Sequence, residues 1–190
     1  MHVEFPEFRL GSVLATSFTA TLTERHGNAV ERIPTPRRLA DWLTANDLAV
    51  ETCTATELGL ARDLRESIHA AATAAALQQA LPASAVLVVN DCSARGRATA
   101  ALTPEGNRVW ELSSLGCVSD ALSVIAADAI SIIAGERDGK LAICASESCQ
   151  AVFFDISRGS TRRWCDMNTC GNRQKKARFR ANQRDKLLHV

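Results

Sequence analysis

Four cysteines near the C-terminus carry the most chemically specific pattern in this sequence. Cys144 and Cys149 are separated by four residues, Cys165 and Cys170 by four, and fifteen residues lie between the pairs. Two short-spaced pairs flanking a longer insert build a tetrahedral zinc site, because each pair comes from one tight turn and the insert lets the second turn fold back on the first. No His, Asp or Glu is inserted at ligand spacing, so the expected centre is one structural Zn2+ closed by four thiolates. A catalytic zinc would keep an open position. The alternative, four buried or free thiols, does not account for the paired spacing or the basic surroundings. A structural zinc of this kind is worth about 10–16 kcal/mol of apparent binding energy, more than a module of this size draws from its own core. The finger is therefore expected to unfold without metal, while the N-terminal half need not.

The flanking elements follow from local chemistry. Ala151 to Ile156 is β-branched and aromatic, Ser157-Arg158-Gly159-Ser160 is turn material, and Thr161 to Trp164 leads back to Cys165, which predicts a hairpin within the insert. From Gln174 to Leu188 there is no Pro or Gly, so a helix should begin at or just after Cys170. Knuckle, hairpin and helix together make a treble-clef arrangement, with the helix N-terminus facing a dianionic metal site.

Charge is divided unevenly. The whole chain carries +1, but residues 144–190 hold ten Lys/Arg against four Asp/Glu, a net of +6, leaving −5 on residues 1–143. A zinc tetrathiolate contributes −2, so the tail stays basic with its metal in place. Arg173, Lys176, Arg180 and Arg184 fall within about 80° on a helical wheel, and Lys175, Arg178 and Lys186 lie opposite. With Arg158, Arg162 and Arg163 on the insert, Lys175, Lys176, Arg178, Arg180 and Arg184 are the candidate nucleic-acid contacts. Arg173, beside the thiolates, is assigned to structure rather than readout, as are Trp164 (packing), Gly171 (close backbone approach) and Asn172 (a brace for the turn).

The string Cys170-Gly171-Asn172-Arg173, preceded by Arg162-Arg163-Trp164-Cys165-Asp166-Met167 and Phe154-Asp155-Ile156-Ser157-Arg158, resembles the CGNR zinc-finger proteins. In that family the finger follows an N-terminal α+β domain called ABATE, and the proteins are regarded as bacterial, stress-linked transcription regulators. Upstream, Thr35-Pro36-Arg37-Arg38-Leu39-Ala40-Asp41-Trp42-Leu43 is similar to an ABATE segment in which a threonine-proline pair opens a helix. Near Phe18 and Thr21 the resemblance implies an aspartate and an asparagine, where Ser17 and Ala20 stand.

The elements that position the finger read as follows. Leu14, Phe18 and Leu22 share one helical face within Leu10 to Leu22, although the many threonines also allow a strand. His26-Gly27-Asn28 is a turn, and Thr35 caps a short helix with Pro36 at its first position. Thr54 to Glu57 has the form of a capping box opening a long helix toward Ala80, ended by Leu81-Pro82. Val86 to Val89 has strand propensity, but Pro82 can open a helix and the resemblance implies one. Arg97–Leu102 and Arg108–Leu112 flank the turn Thr103 to Asn107 as a β-hairpin. An apolar helix runs from Ser119 to a C-cap at Gly135, and 136–140 is the expected hinge.

The expected fold is α+β: a mainly helical N-terminal domain with a small antiparallel hairpin or sheet (1–138), then a treble-clef-like four-cysteine finger with a basic helix (139–190). With 46% hydrophobic residues the chain can bury a sizeable core. Met1 to Glu7 has no signal-peptide pattern and no apolar run reaches the roughly 20 residues of a membrane span. An odd cysteine count, with Cys53, Cys92 and Cys117 scattered singly, fits reduced thiols in a bacterial-type cytoplasm. His2, His26, His69 and His189 form no familiar pattern, and no catalytic motif stands out, so an enzyme is not expected. Two readings remain. One is a DNA-binding regulator whose N-terminal domain senses a small-molecule effector or forms a homodimer. The other is an interaction module whose finger docks an acidic partner or its own N-terminal domain. Whether the basic helix faces solvent distinguishes them.

Overall fold

The computed structural model describes residues 5–9, 11, 13–113 and 116–188; Leu10, His2, His189 and the first residues of Met1 to Glu7 lie outside these. In order, the elements are α1 (Leu14–Thr19), β1 (Leu22–Thr23), β2 (Val30–Glu31), α2 (Pro36–Thr44), α3 (Ala55–Ala76), α4 (Ala83–Arg95), β3 (Thr99–Leu102), β4 (Arg108–Glu111), α5 (Val118–Ile133), β5 (Lys140–Ile143), β6 (Val152–Asp155), a single π turn (Met167–Gly171) and α6 (Asn172–Leu188). The strands form three separate antiparallel pairs, β1-β2, β3-β4 and β5-β6. The class is α+β and mainly helical, as the sequence implies.

Helices α3, α4 and α5 pack on one another, with α1 and α2 against them. The α3 capping box closes in both directions, Thr54 Oγ1 accepting from Glu57 N–H and the Glu57 carboxylate accepting from Thr54 N–H. Thr35 caps α2 through the Arg38 N–H, with Pro36 at the first helical position. Helix α5 is the core helix: Val118, Ala121, Leu122, Val124, Ile125, Ala126, Ala129 and Ile132 are buried, and Gly135 follows with φ +76°. Buried Asp120 on α5 accepts from the Arg97 and Ser113 N–H groups and so ties both ends of β3-β4 to this helix. Fully buried Arg65 binds Glu31 and Glu66 at 2.8 Å each, tying β2 to α3.

Two expectations are corrected. The first helix is shorter than the Leu10–Leu22 reading: it stops at Thr19, and Leu22 lies in β1, paired with Glu31. Three threonines turn their hydroxyls back on the chain, Thr16 to the Val13 carbonyl, Thr19 to Thr16 and Thr21 to Phe18, which competes with continuing the helix. Second, the hairpin lies around the first cysteine pair. Strand β6 pairs with β5, in the register Leu141 opposite Phe154 and Ile143 opposite Val152, while Thr161 to Trp164 is not a strand.

That pairing places β6 between two cores. Alternate side chains of a strand point to opposite faces. Val152 and Phe154 join the main core with Leu141, whereas Ala151 and Phe153 pack with the cysteines. The expected hinge is a tight connection: Gly139, at φ +147°, lies under the Phe154 ring, and β5 packs on α3.

Candidate metal centre and nucleic-acid interface

The first knuckle is a closed turn at the end of β5-β6. Cys144 N–H donates to the Ala151 carbonyl, while the N–H groups of Cys149 and Gln150 both reach the Ser146 carbonyl. Gln150 takes φ +44° to complete the reversal. The second cysteine pair is set by Asp166, whose carboxylate accepts from the Asn168 N–H and the Thr169 hydroxyl. Gly171 N–H then reaches the Asp166 carbonyl, five residues back, and this π turn carries Cys170 inward before α6 begins. The helical path thus starts slightly ahead of the last ligand. A side chain at Gly171 would meet Met167 Sδ at 2.8 Å and Trp164 Cδ1 at 3.3 Å. Trp164 is half-buried against the cysteine cluster, and the Asn172 side-chain amide donates to the Asn168 carbonyl.

The four sulfurs fit zinc. Tetrahedral zinc at about 2.3 Å from each sulfur sets the sulfurs about 3.8 Å apart. Cys149 and Cys165 are 3.7 Å apart, Cys165 and Cys170 3.8 Å, and all four sulfurs lie within 4.8 Å of one another. Cys144, Cys149 and Cys170 are buried. Thiol donation from Cys149 and Cys165, joined by the backbone N–H groups of Cys165 and Ser146, holds Cys144 down to about 3. Cys165 is pushed far up, since Cys144 and Cys149 hold its proton. Such a cluster takes full ionisation only with a dication at its centre, and four sulfur donors choose zinc over hard cations. The site holds one structural zinc ion.

Around it the basic residues separate into two groups. Helix α6 packs on the π turn, and every side chain from Asn172 to Ala181 is exposed, as are Gln183 and Arg184. Lys175, Lys176, Arg178, Arg180 and Arg184 therefore stand in solvent, no α6 side chain among the described residues is buried, and even Phe179 is 63% exposed. Arg158, Arg162 and Arg163 are exposed on the segment after β6. That segment is cinched by buried Asp155, which accepts from the Ser157 and Arg162 N–H groups. The Arg162 guanidinium donates to the Cys165 carbonyl and lies over Phe153, and Arg163 lies over Trp164.

Arg173 differs from its neighbours. It reaches the β1-β2 turn, with Nη1 donating to Glu24 Oε2 at 2.5 Å and Nη2 to Oε1 at 3.0 Å, and Ser148 of the first knuckle also donates to Glu24. Arg173, chiefly by this hydrogen bond, holds the Glu24 carboxyl below its ordinary value, while Glu24 raises the arginine. The His26 N–H donates to the Ser148 carbonyl in the same seam. Nothing at Glu24 in the sequence marks this role. Ser17 and Ala20, the departures from the resemblance, both line a cavity between α1 and the finger.

The fold and the four-sulfur centre define a helical α+β protein carrying a C-terminal structural zinc finger. Two family models match in tandem: residues 12–136 match ABATE, described as a putative stress-induced transcription regulator, and residues 140–183 match the CGNR zinc finger. The chain belongs to the ABATE family, with a CGNR finger at its C-terminal end. No curated protein gave a match to the chain. No described helix is long and apolar enough to cross a membrane.

Proposed function

We propose that this protein is a DNA-binding transcription regulator in which the zinc finger presents α6 to the phosphate backbone and the N-terminal domain receives the signal. The observation that carries this reading is the solvent-facing basic helix. From Asn172 to Ala181 every α6 side chain is exposed, so this part of the helix draws little from packing. Five cations on α6 and three on the neighbouring segment fit a polyanion. The finger meets the N-terminal domain through β5-β6, the first knuckle and Arg173, while Lys175, Lys176, Arg178, Arg180 and Arg184 stay exposed. Four thiolates close the zinc's coordination, so its role is to hold the π turn and the start of α6 in place.

The test is a titration of a fluorescent duplex at several salt concentrations. If the five α6 cations meet phosphates, log affinity falls against log salt with a slope of about −4.5. Reversing charge with Lys176→Glu and Arg180→Glu should flatten that slope by about 2 and weaken binding while zinc content stays at one per chain. Salt-independent binding, or none at low salt, would overturn the proposal and favour an acidic protein partner. A single module reads few base pairs, so sequence selectivity would come from a pair of chains.

A further inference from the structure

Helix α6 carries its cations on two sides of an uncharged line. Phe179 and Gln183 stand one turn apart on the same side of the helix, and both are exposed. With the midline between them as zero, Lys176, Arg180 and Arg184 lie about 40°, 80° and 120° to one side, and Lys175 and Arg178 about 60° and 120° to the other. Asn172, on the same line at the helix start, is engaged with the Asn168 carbonyl, and Arg173 with Glu24.

Phe179 is the most exposed aromatic among the described residues; every other is buried or half-buried. A single exposed apolar residue is ordinary on a protein surface, so exposure alone selects nothing. Its setting does. The first turn of α6 is held by the π turn that carries Cys170, by the Asn172 amide and by the Arg173 pair with Glu24. Long flexible cations reach phosphates without such anchoring and gain no sequence information there, whereas reading a base edge needs a fixed donor and acceptor geometry. Two ranks of cations beside an uncharged line match the major groove of B-form DNA, about 12 Å wide, with phosphate walls and a floor of base edges, which admits a helix about 10–12 Å across. A flat anionic surface would meet one side of the helix only. The deep, narrow major groove of A-form RNA does not open its base edges to side chains.

We propose that α6 enters the major groove of duplex DNA with Phe179 and Gln183 on the base edges, where Gln183 pairs with N6 and N7 of an adenine and Phe179 lies against a thymine methyl. This rests on the reading of α6 as a DNA-binding helix and deepens it, separating the side chains that read from those that hold the phosphates. Residues one turn apart are about 6 Å apart along the helix, roughly two base-pair rises, so the pair reads one short A·T step. Side-chain chemistry selects the bases: a glutamine amide offers one donor and one acceptor to adenine, and the thymine methyl is the apolar group on the groove floor.

The experiment uses the zinc-loaded full chain at one low salt concentration with short fluorescent duplexes of alternating A and T, alternating G and C, alternating A and deoxyuridine, and alternating 7-deazaadenine and T. Oligothymidylate is the single-stranded control. The A-T duplex should bind about fivefold or more tighter than the G-C duplex. Deoxyuridine removes only the thymine methyl and should weaken binding about threefold or more, and 7-deazaadenine removes the N7 acceptor and should weaken it about fivefold or more. A narrow minor groove also favours A·T, but both base changes alter the major groove alone. Phe179→Ala should lose the sensitivity to deoxyuridine and Gln183→Ala the sensitivity to 7-deazaadenine, each with unchanged salt slope, zinc content and melting temperature, because both side chains are exposed. Equal affinity for A-T and G-C duplexes, base effects absent in the parent or retained in full by the variants, or tighter binding of oligothymidylate than of duplex would overturn the proposal. Salt-dependent duplex binding without the base effects would sink this inference alone. Binding of no duplex at low salt would sink the regulator reading, and this inference with it.

Discussion

Arg173 of the finger and Glu24 of the β1-β2 turn, 149 residues apart, share a two-pronged ion pair that also takes in the Ser148 hydroxyl. The arginine belongs to the Cys-Gly-Asn-Arg string and sits one residue into the basic helix, yet it is committed to the partner half of the molecule. It ties the start of α6 to the β1-β2 turn. Arg173→Gln should therefore loosen the seam at small cost, about 1 kcal/mol, since the arginine side chain is 49% exposed and such pairs are screened. Hydrogen exchange at residues 146–150 and 24–27 should quicken, and Glu24→Gln should reproduce the effect without adding to Arg173→Gln. Additive losses would mean the two residues act separately. Because Glu24's folded pKa is depressed, its contribution is full above the ordinary value of 4.5 and fades as pH falls through the lower folded value.

Metal removal should reach beyond the finger. From sequence, the N-terminal half need not depend on zinc, but Leu141, Val152 and Phe154 of the hairpin that ends in the first knuckle are part of the main core. Burial of those three side chains is worth roughly 5 kcal/mol. Chelation should lower the melting temperature of the N-terminal domain by roughly 10–20 °C, with lost amide protection in β5 and β6. An unchanged N-terminal melt after full zinc release would show that β5-β6 stays docked without metal.

Much of this was legible beforehand, and the misses share a cause. Ligand spacing, the Thr54-Glu57 capping box and the Gly135 cap are local signals that the structure had no reason to override. The insert's turn was also real, Ser160 N–H reaching the Ser157 carbonyl with φ +44° at Ser160. No strand follows it because the Asp155 side chain seizes the Arg162 N–H, and β6 finds its partner on the other side of the knuckle. Val86 to Val89 has strand propensity, but the helix expected after Pro82 forms as α4, where Ala85 and Val89 are buried against α3 and α5. Glu24 was invisible because its partner lies far off in sequence.

Gly139 should resist substitution where Gly135 tolerates it. A β-carbon at Gly139 would fall 2.3 Å from the Phe154 ring and 3.1 Å from the Asp155 carbonyl, at φ +147°, so Gly139→Ala should cost about 2–4 kcal/mol. Gly135, at φ +76° with open space around it, should cost about 1 kcal/mol as alanine. Denaturant unfolding of both variants checks the ratio. Equal losses would mean that backbone conformation alone, without the Phe154 contact, sets the penalty.

His69 on α3 should make stability fall in mild acid. Burial, reinforced by the neighbouring Arg25 charge, depresses its pKa from the ordinary 6.5 to about 4, although Glu66 and the Gln150 backbone pull the other way. Its Nε2 is buried without a partner among the described residues. Above pH 6.5 the ring is neutral in both states and contributes no pH dependence. As pH falls below 6.5 the unfolded chain takes up a proton that the folded chain refuses until about 4, so unfolding is favoured by up to roughly 3 kcal/mol across that window. His69→Gln should flatten this part of the curve relative to the parent. Zinc loss in acid is separated from it by following bound metal in the same samples, because a fall in stability that precedes metal release belongs to the histidine.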